Sequence, residues 1–480
     1  MEIAFYIGSG QKGTVLSAAK ELSVTSDCTV YVIARDNNVA DLAKKLLPRT
    51  MHDSIISLSK IKEKLIVSGS IVERALRMES IIDEYSSMLS SYDRGIGQGY
   101  LGNADRHPHV IRSLYSQREK LENLVQEFEC YEEVLKRCDA RIFFGYQRPF
   151  LLSFLLRAKK IDYITYIHSR ISDKFILVKD EMLQSECLID SIQVELGNFK
   201  SSTVNNINYT MSETFLIGMS KVNYSIYQAI KQSMYICIHE VYKIIKGIKK
   251  VDSYKFCGWI PVLFRKIRAR KYWIKYGVHV NDFLDMKTVI FPLHTEPEVS
   301  LMQVSPEFNN SYEIICWVSK NLPADTLLVI KEHPDSFGRR STEYYDRLRK
   351  IGNVELSHPN NSTKDWIDRS IFTVAITGTS GYEAVYYDKP VLSYGRYQII
   401  NFLPTVFYVT SFLETRDAMK NILESGFSKN IFLKSKYALN SSLMSCSFSL
   451  PNHSKYVDSD FLVEDLGRML SKKLHEKIPV

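Results

Sequence analysis

Cysteine is sparse. Eight of them, Cys28, Cys130, Cys138, Cys187, Cys237, Cys257, Cys316 and Cys446, are scattered through 480 residues with no Cys-x-x-Cys pair, which argues against a zinc ribbon or a dithiol redox motif. A reducing cytoplasm is the expected compartment. Nowhere does an apolar run reach the ~18 uninterrupted residues that a spanning helix needs. The opening residues, Met1 to Gly8, have no basic leader before their apolar stretch, unlike a secretory signal, so any membrane contact is expected to be peripheral. The sequence also lacks a Gly-x-Ser-x-Gly elbow and a His-Glu-x-x-His pair, and Gly8-Ser9-Gly10-Gln11-Lys12-Gly13 has the wrong spacing for a dinucleotide fingerprint or a Walker loop. Charge of one sign is lacking too: 62 Lys and Arg against 54 Asp and Glu give +8 over a long chain, and no nucleic-acid partner is expected.

What is present is 45% hydrophobic and 24% charged residues, the balance of a globular protein of two or three domains. A β-rich run at 3–7 ends in Gly8-Ser9-Gly10, helical spacing follows at 14–22, and a second strand is predicted at 29–34. Helices are predicted at 71–89 and 110–138 around a loop, Asp93 to Tyr100, with three glycines. Strands at 140–144 and 163–167 flank a helix at 149–160, and 180–250 reads as mostly helical, with an amphipathic, tyrosine-rich stretch at 222–250. From 253 to 281 the chain carries seven Lys and Arg and no acid, interleaved with Trp259, Phe264, Tyr272, Trp273 and Tyr276. An inter-domain linker is expected there, one that either touches anionic lipid headgroups or a lipid-linked acceptor or lies partly buried with its Lys and Arg stems over apolar surface. The pattern then restarts with strands at 288–291, 326–330, 354–356, 372–376 and 391–393, joined by helices, which predicts a doubly wound parallel sheet. The expectation is an α/β protein of two Rossmann-like domains with a cleft between them. The first domain is 1–252, the linker 253–281, the second domain 282–450, and a final segment, 451–480, places a helix back on the first domain.

Three strand-end loops of the second half carry polar chemistry. Val374-Ala-Ile-Thr377-Gly378-Thr379-Ser380-Gly381-Tyr382-Glu383-Ala384 is an apolar strand, a small-residue turn and a helix start, where N–H groups and the helix dipole suit an anion. Thr379 and Ser380 add hydroxyls and Glu383 can accept from a ribose diol; a plain capped turn would use the same residues. Leu328-Val-Ile-Lys331-Glu332-His333-Pro334 brings Lys331 and His333 to a second strand end. Arg339 and Arg340 follow, as a guanidinium fork or as a solvated pair. Ile290-Phe-Pro-Leu-His294-Thr295-Glu296-Pro297-Glu298 offers an imidazole and two carboxylates on a proline-stiffened loop, suited to a base or nucleophile, or to a structural loop with exposed acids. In the first half, His168-Ser-Arg170-Ile-Ser-Asp173 follows a strand and offers Arg170 and Asp173, with a surface ion pair as the equal alternative. Asp458-Ser459-Asp460 looks like a metal clamp but precedes the terminal helix, where an N-cap is expected. No metal is expected.

In order, Phe291 to Glu298, Leu322-Pro323, Lys331 to Pro334, Thr377 to Ala384 and Lys389-Pro390-Val391 resemble the capsule polysaccharide synthesis family of bacterial glycosyltransferases, which includes retaining β-Kdo transferases. Asp93-Arg94-Gly95 and His168 to Asp173 are weaker echoes. The resemblance implies a GT-B architecture, with the acceptor on the first domain and the donor nucleotide on the second, and no cofactor beyond a CMP-activated sugar donor. Carried over, His333 and Pro334 contact cytidine monophosphate, Thr379 and Ser380 hold its phosphate with Lys331, Gly378 and Gly381 around them, and Glu383 takes the ribose. His294, Arg170, Arg339 and Arg340 would face the sugar, and Glu296, Glu298 or Asp173 would supply the base or nucleophile. The family uses an aspartate nucleophile where this loop offers glutamates, which leaves the stereochemistry open. The implied function is transfer of Kdo or a related ulosonic acid to a glycan or lipid-linked glycan in capsule or lipopolysaccharide assembly, in the cytoplasm and at the inner membrane face. A UDP-sugar epimerase, a UDP- or GDP-hexose transferase and a non-catalytic polysaccharide-assembly protein are the alternatives.

Overall fold

A computed structural model describes residues 2–8, 10–65, 68–82, 117–146, 149–171, 173–180, 182–200, 225–245, 260–283, 285–296, 301, 305–308 and 311–476. The chain divides into two compact units: residues 1–88, 117–187 and 443–480 make the first, and 188–442 form the body of the second. The first contains β1 (Glu2–Ile7), β2 (Thr29–Ala34), β3 (Ile55–Ser57), β4 (Ile142–Gly145), β5 (Asp162–His168) and β6 (Lys174–Lys179). The second contains β7 (Lys287–Pro292), β8 (Thr326–Lys331), β9 (Val354–Leu356), β10 (Phe372–Ala375), β11 (Val391–Ser393) and β12 (Val406–Tyr408), and β13 (Phe448–Ser449) returns to the first.

The first sheet has the order β13-β6-β5-β4-β1-β2-β3. Ile3 to Ile7 of β1 are all buried, as a continuous apolar strand covered on both faces should be. The pairs from β5 to β3 are parallel, while β6 and β13 add antiparallel edges. Because β5 and β6 pair through a short hairpin turn, residues 169–173 are not the parallel strand-end loop expected from sequence; a parallel crossover needs a dozen or more residues. The Glu464–His475 helix packs on the Lys12–Thr25 helix and sends Leu466, Leu470 and Leu474 into this unit's core. Asp460 does not cap it: the cap position is Val463, and Asp460 pairs with Lys12 instead.

The second sheet is wholly parallel, in the order β12-β11-β10-β7-β8-β9, and Lys287 to Pro292 register against Thr326 to Lys331. The chain runs outward from β7 to β9, then restarts on the other side of β7 with β10. The topological switch point, where open α/β sheets take ligands, therefore lies between β7 and β10. In the first sheet it lies between β1 and β4.

The basic aromatic stretch differs from its sequence reading. Residues 260–276 are a helix of the second unit rather than a bare linker. Val262, Ala269 and Trp273 recur on one helical face, and Trp273 lies edge-on to Phe337 and Tyr345 in the core. The cations that dominate its composition lie mostly along the remaining faces, which is why composition alone reads as a linker. Residues 188–252 also fall with the second unit. Among the described residues no helix is long and apolar enough to cross a membrane.

Candidate functional site

Three loops follow β10, β7 and β8, which are neighbours in the sheet, and the structure brings their polar residues together. β10 runs through Ile376 and Thr377 to Gly378, the N-cap of the Thr379–Tyr386 helix, which has no side-chain cap. A Cβ on Gly378 would stand 2.9 Å from His294 Cε1 and 3.5 Å from Ser380 Oγ. Only glycine lets the turn lie this close to the imidazole. Ser380 and Glu383 are buried in the first turns of the helix and Thr379 is exposed at its tip. Gly381 packs the helix against the sheet, where a side chain would meet Ile400 and Ala375.

His294, at the end of β7, is buried, and its Nε2 accepts the Thr377 N–H at 3.3 Å. Burial pushes its pKa down to about 4; Glu296 pulls upward, while His333 and Arg340 push further down. The ring is therefore neutral at physiological pH, with its proton on Nδ1. His333, at the end of β8, is exposed and its Nδ1 lies 2.9 Å from Thr295 Oγ1, which ties the loops after β7 and β8 together. The outward surface thus offers His333, Thr379 and the N–H groups of a helix start, an arrangement suited to an anionic ligand.

Beneath it lies a buried ion cluster. Arg340 reaches Glu332 at 2.6 Å and Glu296 at 3.0 Å, donates to the His294 carbonyl at 2.8 Å, and has all three side chains within 1% of full burial. Tyr345 donates to Glu332 at 2.7 Å, the His333 N–H to the same carboxylate at 2.8 Å, and the Ser311 N–H to Glu296 at 3.2 Å. Burial opposes the guanidinium charge, but Glu296 and Glu332 overcome it and hold the Arg340 pKa well above its usual value. Glu296, expected from sequence to act as base or nucleophile, is instead occupied in this cluster, and Arg340, expected to face a sugar, is its centre. Both position the loops: one guanidinium fixes the backbone of His294 and, through Glu332, that of His333.

Lys331 is turned toward the other edge of the sheet, where its Nζ donates to the Asn361 carbonyl at 2.8 Å and burial lowers its pKa to about 8. Pro334 starts a short 3-10 turn, and Arg339 beyond it is half-buried. Arg170 and Asp173 are exposed on the β5 to β6 hairpin of the first unit, Arg170 with a φ of 71° and its N–H on His168 Nδ1 at 2.9 Å. Glu298, Ser172 and the Arg94 loop lie outside the described residues. Sequence reasoning passed over Glu332 and Tyr345. The available signal was an acid directly after an apolar strand, eight residues before an arginine, which is costly to bury unless the two pair. Among the described residues no group of three or more His, Cys, Asp or Glu could hold a metal ion.

Residues 237–399 match the family model described as capsule polysaccharide biosynthesis protein. Among solved structures, the chain is similar to the β-Kdo 2,7-transferase KpsC of Thermosulfurimonas dismutans, at 15% identity and a TM-score of 0.33, over 72% of this chain and 89% of that one. It is also similar to the UDP-GlcNAc 2-epimerase of Methanocaldococcus jannaschii, at 10% identity and a TM-score of 0.28, over 93% of this chain and 100% of that one. Comparison with curated proteins gave no match. The family match bears on the site, because it contains His294, His333, Arg340 and the Gly378 turn. Over residues 237–399 the chain is similar to the capsule polysaccharide biosynthesis proteins.

Proposed function

We propose that this protein is a glycosyltransferase of bacterial surface polysaccharide assembly that takes a CMP-activated ulosonic acid, Kdo or a relative, and transfers it to a glycan or lipid-linked glycan acceptor. The observation that carries the reading is the Gly378 turn at the switch point of the parallel sheet, with His294 beneath it and His333 beside it. Leaving-group chemistry suits this arrangement. Departure of CMP builds negative charge on its phosphate, and a preorganised helix start with an imidazole at its rim stabilises that charge. Ser380 and Thr379 would hold the phosphate, Glu383 the ribose, and Arg339 the donor's carboxylate. With Glu296 engaged by Arg340, the acceptor base falls to Glu298.

A thermal-shift panel tests the donor. A ligand that binds only the folded state adds about 2.7 kcal/mol at a hundred times its Kd. CMP is expected to raise the melting temperature while UDP and GDP do not. A preference for UDP or GDP would replace the ulosonic donor by a hexose, or favour an epimerase. No response to any of the three would overturn the nucleotide site.

A further inference from the structure

The Ile226–Ile245 helix of the second unit reverses the usual amphipathic arrangement, in which the apolar stripe of a surface helix faces the core. Here the buried and half-buried positions are Ala229, Ser233, Ile236 and Glu240, and Ser233 donates to the Ala229 carbonyl at 2.7 Å. Apart from Lys231, the outward positions are large and apolar: Ile230, Met234, Tyr235, Ile238, Tyr242 and Ile245 are 48–77% exposed. At 3.6 residues per turn these six fall within about 140° of arc, facing away from the buried seam.

The adjoining Ile260–Tyr276 helix packs against it. With its buried face in the core, it exposes Phe264, Arg268, Lys271, Ile274 and Lys275, two apolar side chains with three cations among them. In sequence, Lys246, Lys249, Lys250 and Lys255 lie between the two helices with Asp252 as the one acid, and no acid occurs from Ser253 to Asn281. An apolar surface bearing tyrosines, beside a face of one-signed charge, matches the interface of an anionic bilayer, where tyrosine sits at headgroup level and each nearby cation strengthens the attachment. Neither helix is able to span the membrane, so both would lie in its plane.

We propose that these two helices form a docking surface for an anionic lipid membrane, with Ile226–Ile245 as the inserted element and Ile260–Tyr276 as the electrostatic one. The sequence reading placed the lipid contact in residues 253–281; the proposal puts its apolar part on the Ile226–Ile245 helix. The inference is independent of the nucleotide reading, whose test uses no lipid.

Co-sedimentation of the full chain with phosphatidylcholine vesicles, with and without phosphatidylglycerol, tests it. Binding is expected to be at least about tenfold stronger with the anionic lipid and to weaken as salt screens the charges. Ile230→Asp with Ile238→Asp should lower binding about tenfold or more, and Arg268→Glu with Lys271→Glu should remove the lipid preference, both with native circular dichroism. If the first pair misfolds, Tyr235→Ser alone should still weaken binding. Absence of binding to either vesicle, or binding untouched by these changes, overturns the proposal. A dimer in solution that Ile230→Asp with Ile238→Asp dissolves, without vesicle binding, also overturns it in favour of a second copy.

Discussion

After β1, Gly10 and Gln11 lead into the Lys12–Thr25 helix; after β10, Gly378 leads into the Thr379–Tyr386 helix. Both turns stand at the switch point between parallel strands of their sheet, and each has a buried histidine beside it. In the first unit the crevice is filled by the chain itself. His453 Nε2 lies 2.9 Å from the Tyr166 hydroxyl, Gln11 donates to the His453 carbonyl at 2.9 Å, and the Gln11 N–H donates to the Val457 carbonyl at 2.6 Å. The returning C-terminal segment lies so close that a Cβ on Gly13 would land on the Phe461 carbonyl. In the second unit the histidine lies below the turn, and Thr379 and His333 are exposed above it. The same strand, turn and helix can thus be a closed joint or an open turn, according to what lies over the helix start.

The largest effect is expected beneath the open turn. Removing one partner of a buried ion pair costs about 3–5 kcal/mol. Arg340→Met should therefore lower the melting temperature of the second unit by roughly 10 °C, at about 2–4 °C per kcal/mol for a unit of this size. A change under about 2 °C would show that Glu296 and Glu332 do not depend on Arg340.

Acid should affect both units. Burial holds His294 and His453 neutral, with pKa values of about 4, against an ordinary value near 6.5 in the unfolded chain. The unfolded chain takes up protons first as pH falls. Stability is therefore full above pH 6.5 and is lost as pH falls toward 4, by up to about 3 kcal/mol for the fully buried His294 and by less for His453, which solvent partly screens. Denaturant unfolding at pH 7 and pH 5 reads this loss, and His453→Gln should reduce the acid sensitivity of the first unit only. Equal unfolding at both pH values would contradict the buried neutral imidazoles.

Gly13→Ala probes the closed turn. Its methyl group has no room against the Phe461 backbone, and overpacking of this kind costs about 1–3 kcal/mol. The first unit should melt earlier while CMP affinity is unchanged. A loss of CMP affinity would move the nucleotide to the first unit.

The α/β alternation, the parallel second sheet and the three convergent loops are legible in the sequence, because apolar runs such as Leu327 to Ile330 and glycine turns such as Gly378 carry their own periodicity and backbone preference. β6 and β12 were not read: neither follows a helical crossover, and one is reached by a hairpin, the other by a 3-10 turn. The fate of Glu296 was illegible for a different reason. An acid on a polar loop looks exposed until the arginine 44 residues later in the chain is seen to bury it. Composition likewise showed the cations of residues 260–276 but not that Trp273 anchors them to the core.

The most direct measurement is calorimetric titration of CMP into the native protein, Gly378→Val and Gly13→Ala. A side chain at Gly378 collides with His294 beneath the open turn, so Gly378→Val should lose at least about 100-fold in affinity, some 2.7 kcal/mol, with circular dichroism unchanged, while Gly13→Ala binds as the native protein does. Equal affinity for CMP in the native protein and Gly378→Val would contradict the assignment of the nucleotide to this turn.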